Sequence, residues 1–248
     1  VIFVDELDEV PDGERVIFSA HGVAKSVEDE AEERNLNYFD ATCPLVTKVH
    51  LEAIKYAKDG YTILLVGHKG HDEVIGTMGE APDNTILVES VEDIPLLNIP
   101  NSEKVVALTQ TTLSVSDTAN IISALKEKFP KLVTRNDICY ATTNRQNALD
   151  SITDDVDLVL VVGAKNSSNS NRLKELASER GIEAYLVNGP EDVKLDWLEG
   201  KSSIGITSGA STPEVLVNGV IEKIKPSNIQ NIVYAEENVN FKLPKEVV

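Results

Sequence analysis

Runs of Val, Ile and Leu of strand length alternate along this chain with amphipathic stretches of helix length, and that alternation leaves few folds open. Apolar runs joined through helices are the mark of parallel sheets covered on their faces. The pattern predicts strands over 15–19, 61–66, 104–108, 157–162, 183–187 and 203–206. It predicts helices over 26–34, 45–58, 116–129, 145–152, 169–180 and 212–224. Gly60, Pro130 and Gly181 close helices, and Thr212-Pro213-Glu214 opens one. The fold class is therefore α/β, with mainly parallel sheets in three small modules: residues 1–43 with 226–248, residues 44–137, and residues 138–225. The segment 229–234 reads as a strand that returns to the first module, and Pro244 to Val248 as a tail on a surface.

The polar residues fall where such a fold binds ligands. His21-Gly22, Thr42-Cys43-Pro44, Gly67 to Glu73, Thr109 to Thr112, Cys139 to Asn144, Asn166 to Asn169 and Thr207 to Ser211 all lie at strand ends or helix starts. Helix N-termini direct free N–H groups into the crevice at that edge of an α/β sheet. Any one cluster could simply cap a helix. Seven together point to a ligand.

Composition removes several classes of function. The formal net charge of −18 repels phosphate backbones, so no nucleic-acid partner is expected. No apolar run reaches the length of a bilayer span, so no membrane insertion is expected either. Two cysteines in 248 residues are not a disulfide framework and favour a reducing, cytoplasmic setting, with a Cys43–Cys139 disulfide as the alternative. The opening Val1-Ile2-Phe3-Val4 reads as the end of a strand whose beginning lies upstream.

Cys43 and Cys139 have neither redox CxxC nor zinc-ribbon spacing, and two thiols leave a metal site incomplete. An iron–sulfur cluster with one free iron would need a third cysteine. His68, His71 and Glu73 could bind zinc, although Gly70 between the histidines works against it. Alternatively a histidine there binds an anion beside Glu73, whose proton affinity would rise on burial as a general acid requires. Thr111, Thr112, Thr142, Thr143, Ser167, Ser168, Asn169 and Ser211 are neutral donors suited to a phosphate. Neither a Walker A nor a GxGxxG pattern occurs. Glycines 67, 70, 76 and 79 suggest a loop that approaches a ligand closely or moves. Three readings remain on this basis: an iron–sulfur enzyme, a phosphate-binding module with structural cysteines, and a metal-dependent hydrolase built on His68, His71 and Glu73.

Ser19 to Val23, Asp40 to His50, Gly67 to Gly79, Thr109 to Ser114, Asp137 to Gln146 and Lys165 to Arg172 closely resemble the 4-hydroxy-3-methylbut-2-enyl diphosphate reductases, the IspH/LytB family. The resemblance covers essentially the whole chain. It implies three α/β modules around a central cavity that holds a [4Fe-4S] cluster on three cysteines. It also implies reductive loss of the substrate's allylic hydroxyl as water, giving isopentenyl and dimethylallyl diphosphate in the methylerythritol phosphate route to isoprenoids. Carried onto this chain, Cys43 and Cys139 become cluster ligands. His21, His71, Ser167, Ser168, Asn169 and Ser211 become diphosphate ligands, and Glu73 with Thr111 the proton donor. The electron donor would be ferredoxin or flavodoxin. The family's first cysteine and a further histidine are absent from this chain. These 248 residues alone are therefore expected to hold a cluster poorly and to show little turnover.

Overall fold

The computed structural model describes residues 1–135 and 137–241. They divide into two compact units, Val1–Thr111 with the described part of Ser116–Asp137 and residues 239–241, and Thr112–Val115 with Ile138–Asn238. Every strand pairing described is parallel, as the alternation predicts.

In the first unit β1 (Arg15–Phe18) and β2 (Asn37–Asp40) form a two-stranded sheet, connected by α1 (Lys25–Glu33). Phe18, Ala31, Leu36 and Leu7 make its small core. Next comes α2 (Pro44–Lys58), opened by proline at its first position, where the missing N–H would have had no partner anyway. Val46, Val49, Ala53 and Tyr56 lie on its buried face at helical spacing. β3 (Thr62–Val66), α3 (Asp72–Glu80), β4 (Thr85–Val88), β5 (Val105–Thr109), α4 (Val115–Lys128) and β6 (Val133–Thr134) follow, and the four strands take the order β4-β3-β5-β6. Ile63, Leu65, Val106 and Leu108 meet the α2 face to form the main core of this unit. Each such fully buried side chain contributes about 1.5–3 kcal/mol relative to exposure.

The second unit starts with α5 (Tyr140–Asp150) and continues through β7 (Leu158–Val162), α6 (Ser168–Glu179), β8 (Glu183–Val187), β9 (Ile204–Ser208) and α7 (Glu214–Ile224), in strand order β8-β7-β9. All five β7 residues are buried, and the strand's period of two divides them between two cores. Val159 and Val161 pack with Leu149, Leu173 and Leu176. Leu158, Leu160 and Val162 pack with Val187, Val193 and Val220.

Three expectations need correction. Residues 72–80, read as part of a glycine-rich loop, form α3. Its glycines serve packing: a Cβ on Gly79 would overlap the Ala24 side chain and lie 2.9 Å from Ala24 Cα, so α3 can lie against the start of α1 only without one. Residues 229–234, expected as a strand, have no regular structure, and Ile229, Ile232, Val233 and Tyr234 are exposed. They belong to the second unit. Residues 1–4, expected to be a strand end, are likewise irregular and exposed. The tail expected over Pro244 to Val248 lies outside the described residues.

Candidate active site

In the first unit every candidate residue follows the carboxyl end of a strand. The chain leaves β1 through Ser19, Ala20 and His21 and turns at Gly22, whose φ of 76° lies in the left-handed region. A side chain at Gly22 would lie 2.8 Å from the ring of His50, so the turn needs glycine for both conformation and space. His50 is buried beneath the turn, its Nδ1 3.2 Å from Glu80 Oε1. The Cys43 amide donates to the Ala20 carbonyl at 3.0 Å, which ties the cysteine to the histidine loop by one backbone bond.

His71 caps α3: its Nδ1 accepts the Glu73 amide at 3.2 Å. With Nδ1 accepting, the neutral ring carries its proton on Nε2. Burial, followed by the charge of His21, pushes the His71 pKa down and favours that neutral form. The His21 and His71 rings meet edge to face with centroids 5.4 Å apart, and Asp72 lies 3.6 Å from His21 Nδ1. Two histidines therefore share one small space, and at least one is a neutral N–H donor.

Glu73 is only 2 % exposed. Its Oε1 accepts the Thr111 amide at 2.6 Å, and its Oε2 accepts the Thr111 hydroxyl at 2.9 Å. Burial raises its pKa to about 7 against the opposing effect of both Thr111 bonds, with a smaller upward contribution from Asp137. A carboxyl group poised near neutrality can donate a proton, and Thr111 fixes its orientation. This geometry leaves little of the zinc reading: His68 is exposed, His71 spends Nδ1 on the helix cap, and Glu73 is turned to Thr111. Among the described residues no three His, Cys, Asp or Glu side chains gather closely enough to hold a metal ion.

The second unit carries the other candidates. Cys139 occupies the N-cap of α5 with φ −57° and ψ 134°, and Cys43 occupies the N-cap of α2 with φ −57° and ψ 130°. In each case the cysteine carbonyl accepts the amide four residues on, from Thr47 at 3.0 Å and Thr143 at 2.9 Å. Both are half-buried free thiols, so no disulfide joins them. α5 begins at Tyr140, five residues before the expected start, which places Thr142 and Thr143 inside its first turn.

Ser167 caps α6, and the hydroxyl of Ser168 lies 3.1 Å from that of Thr112. Asn169 is 4 % exposed, yet among the described residues neither its Oδ1 nor its Nδ2 has a hydrogen-bond partner. Buried amides without partners are uncommon and costly, which makes this one a candidate ligand group. Asn169→Leu is expected to leave Tm unchanged or raised, by about 1 kcal/mol in stability, while weakening diphosphate binding at least about tenfold. Thermal melts and titration calorimetry would check the two halves. Ser211 is exposed in the loop after β9, where the Thr212 amide bonds to the Gly209 carbonyl. Thr212 was expected to begin α7; its hydroxyl bonds instead to Val162 O at 3.0 Å, and the helix starts at Glu214.

Several positioning residues are not marked as such by their residue type in the sequence. Gln146 accepts the Val115 amide and donates to the Leu113 carbonyl, holding the loop that contains Thr112. Arg145 donates to Ser208 O at the end of β9 and to Ala141 O in α5. Lys48 pairs with the buried Asp137, two residues before Cys139.

The family model for LytB protein matches residues 1–225. This chain belongs to the LytB family. It is 53% identical over 254 residues to 4-hydroxy-3-methylbut-2-enyl diphosphate reductase of Actinobacillus pleuropneumoniae serotype 3, covering 99% of this chain and 81% of that protein. It is 53% identical over 249 residues to 4-hydroxy-3-methylbut-2-enyl diphosphate reductase 2 of Burkholderia mallei, covering 98% and 76%. The solved E-1-hydroxy-2-methyl-but-2-enyl-4-diphosphate reductase of Plasmodium falciparum superposes with a TM-score of 0.94 at 43% identity, over 99% of this chain and 79% of that one. The α/β architecture read from the alternation is thus that of a LytB protein.

The donor set also suits the metal centre that the LytB resemblance implies. Two free thiols in matched N-cap positions are soft ligands of the kind iron–sulfur clusters use. They supply two such ligands, and the sequence has no other cysteine.

Proposed function

We propose that this LytB-family chain is a 4-hydroxy-3-methylbut-2-enyl diphosphate reductase that removes the allylic hydroxyl of its substrate as water and yields isopentenyl and dimethylallyl diphosphate. The buried Glu73–Thr111 pair is the observation that carries the reading. A hydroxyl leaves as water only when a proton reaches its oxygen, and Glu73, with its pKa raised to about 7, is an acid available to deliver one. Thr111 holds both carboxyl oxygens, so the donor does not swing away between turnovers.

The diphosphate end falls to neutral donors. Ser167, Ser168, Asn169 and Ser211 are hydroxyl and amide groups at or near helix starts, and the α6 N-terminus adds its dipole. His21 and His71 add imidazole N–H groups. Neutral donors suit a diphosphate that must leave after turnover, since they hold it less tightly than a permanent cation would. Cys43 and Cys139 would bind a [4Fe-4S] cluster together with a third thiolate from outside these 248 residues. When bound, that cluster would relay the two electrons one at a time and offer a Lewis-acidic iron. Ferredoxin or flavodoxin would deliver the electrons, and a cytoplasmic setting follows from the thiol chemistry.

The test is anaerobic reconstitution with iron and sulfide, of this chain and of a chain extended upstream by a cysteine-bearing segment. Each is then incubated with 4-hydroxy-3-methylbut-2-enyl diphosphate and a chemical reductant. Isopentenyl and dimethylallyl diphosphate are the expected products of the extended chain. Iron loading without loss of the hydroxyl would overturn the assignment.

A further inference from the structure

We propose that Ser170 is a positioning residue that turns Ser167 into a one-way hydrogen-bond donor and so selects an acceptor-only terminal phosphate. This rests on the diphosphate role given to Ser167 above. Ser170 lies in the first turn of α6 and is 1 % exposed. Gly163 follows β7 and Gly209 follows β9, at the carboxyl ends of two paired strands. A Cβ on either glycine would overlap the Ser170 Oγ. The hydroxyl is therefore seated between two strand ends, in space that the two glycines leave open.

From that seat Ser170 makes two bonds to one atom. Its Oγ donates to Ser167 Oγ at 3.1 Å, and its backbone N–H reaches the same oxygen at 3.3 Å. A serine hydroxyl has two lone pairs and one proton. Both lone pairs of Ser167 Oγ are then occupied by Ser170, and its proton is left to donate away from the helix. An ordinary serine N-cap accepts one amide and keeps a lone pair for any passing donor. Here no lone pair remains, so an N–H or O–H of a ligand finds no acceptor at Ser167, and only a ligand's acceptor atom gains a bond there. A fully ionised phosphoryl group accepts on every oxygen and gains a charge-assisted bond. Asn171 keeps the arrangement in register, since its Nδ2 donates to Lys165 O at 2.7 Å and to Ser167 O at 2.9 Å.

The probe is inorganic diphosphate, titrated calorimetrically into the full chain and its Ser167→Ala, Ser170→Ala, Ser170→Cys and doubly substituted Ser167→Ala/Ser170→Ala variants. Ser167→Ala is expected to raise Kd by about 10- to 100-fold, the range for a hydrogen bond to a charged group. Ser170→Ala is expected to raise it by about tenfold, and the double variant to bind no more weakly than Ser167→Ala alone. Ser170→Cys keeps nearly the same shape with a poor donor, and should lose affinity as the alanine does. Multiplying effects in the double variant, or full affinity in Ser170→Cys, would overturn the proposal by showing that Ser170 only fills space. An unchanged Kd for Ser167→Ala would instead remove the diphosphate role of Ser167, and this inference with it. A Ser170 variant that loses its fold fails in both backgrounds alike, which a cooperative thermal melt identifies, and the Ser170→Cys comparison then decides.

Discussion

Glu73→Gln is expected to lower turnover by about 10²- to 10⁴-fold while substrate affinity changes little. Glutamine keeps the shape and can hold Thr111, but it has no proton to give to a leaving hydroxyl. Because the Glu73 pKa is raised to about 7, its protonated fraction falls as pH rises through that value, and a proton-delivery limb should fall with it. The glutamine variant should lack that limb. Stability moves in the same sense. The folded-state pKa lies above the ordinary 4.5, so the protonated side chain favours the folded state. That contribution is fully present below about 4.5 and is lost as pH rises through about 7. The gap corresponds to roughly 3 kcal/mol, so Glu73→Gln should be the more stable protein at pH 8 and should have a flatter stability profile. Parallel wild-type and variant profiles would show that Glu73 is not the titrating group.

In a chain extended upstream by a cysteine-bearing segment, Cys139→Ser is expected to reduce iron and sulfide retained after anaerobic reconstitution by at least about tenfold, because a serine alkoxide is a poor substitute for a soft thiolate. Cys43→Ser should behave alike, since both cysteines sit on helix N-caps with the same backbone angles. The measurement is bound iron together with visible absorbance, and it can be read without any turnover. Cluster content equal to wild type in both variants would leave a phosphate-binding protein with structural cysteines as the better description.

The chain displayed most of its strands and helices plainly: the predicted helices 26–34, 45–58, 116–129 and 169–180 lie within one residue of α1, α2, α4 and α6 at each end, whereas β4 and β6 had no counterpart among the predicted strands. Residues 183–187 match β8 to the residue, and the predicted 61–66, 104–108 and 157–162 lie within one residue of β3, β5 and β7 at each end. Strands buried on both faces are nearly pure Val, Ile and Leu, which composition alone reveals. Helix α3 was hidden because Gly76 and Gly79 lower helix propensity and erase the apolar period, and tertiary packing against α1 overrides both. Helix α5 began early for a related reason: its first turn is Tyr, Ala and two Thr, with no apolar stripe to mark it. Segment 229–234 failed in the opposite direction, since apolar residues mark a strand only where a neighbouring edge accepts them.

The candidate site divides in a similar way. Cys43, Glu73, Ser167 and Asn169 stand out because their chemistry is written in their residue types and their places at strand ends. His50, Gln146 and Ser170 do not. A histidine within an amphipathic helix and a third serine in a serine-rich turn become informative only when burial and bonding partners are known.

The backbone bond from the Cys43 amide to the Ala20 carbonyl joins two loops to which different roles are proposed, one bearing a thiol and one an imidazole. Whatever restrains the sulfur also restrains the peptide that carries His21, and if His21 grips the diphosphate as proposed, that anion steadies the thiol in return. Thermodynamic reciprocity then requires that any gain in anion affinity on metal loading be matched by an equal gain in metal retention on anion binding.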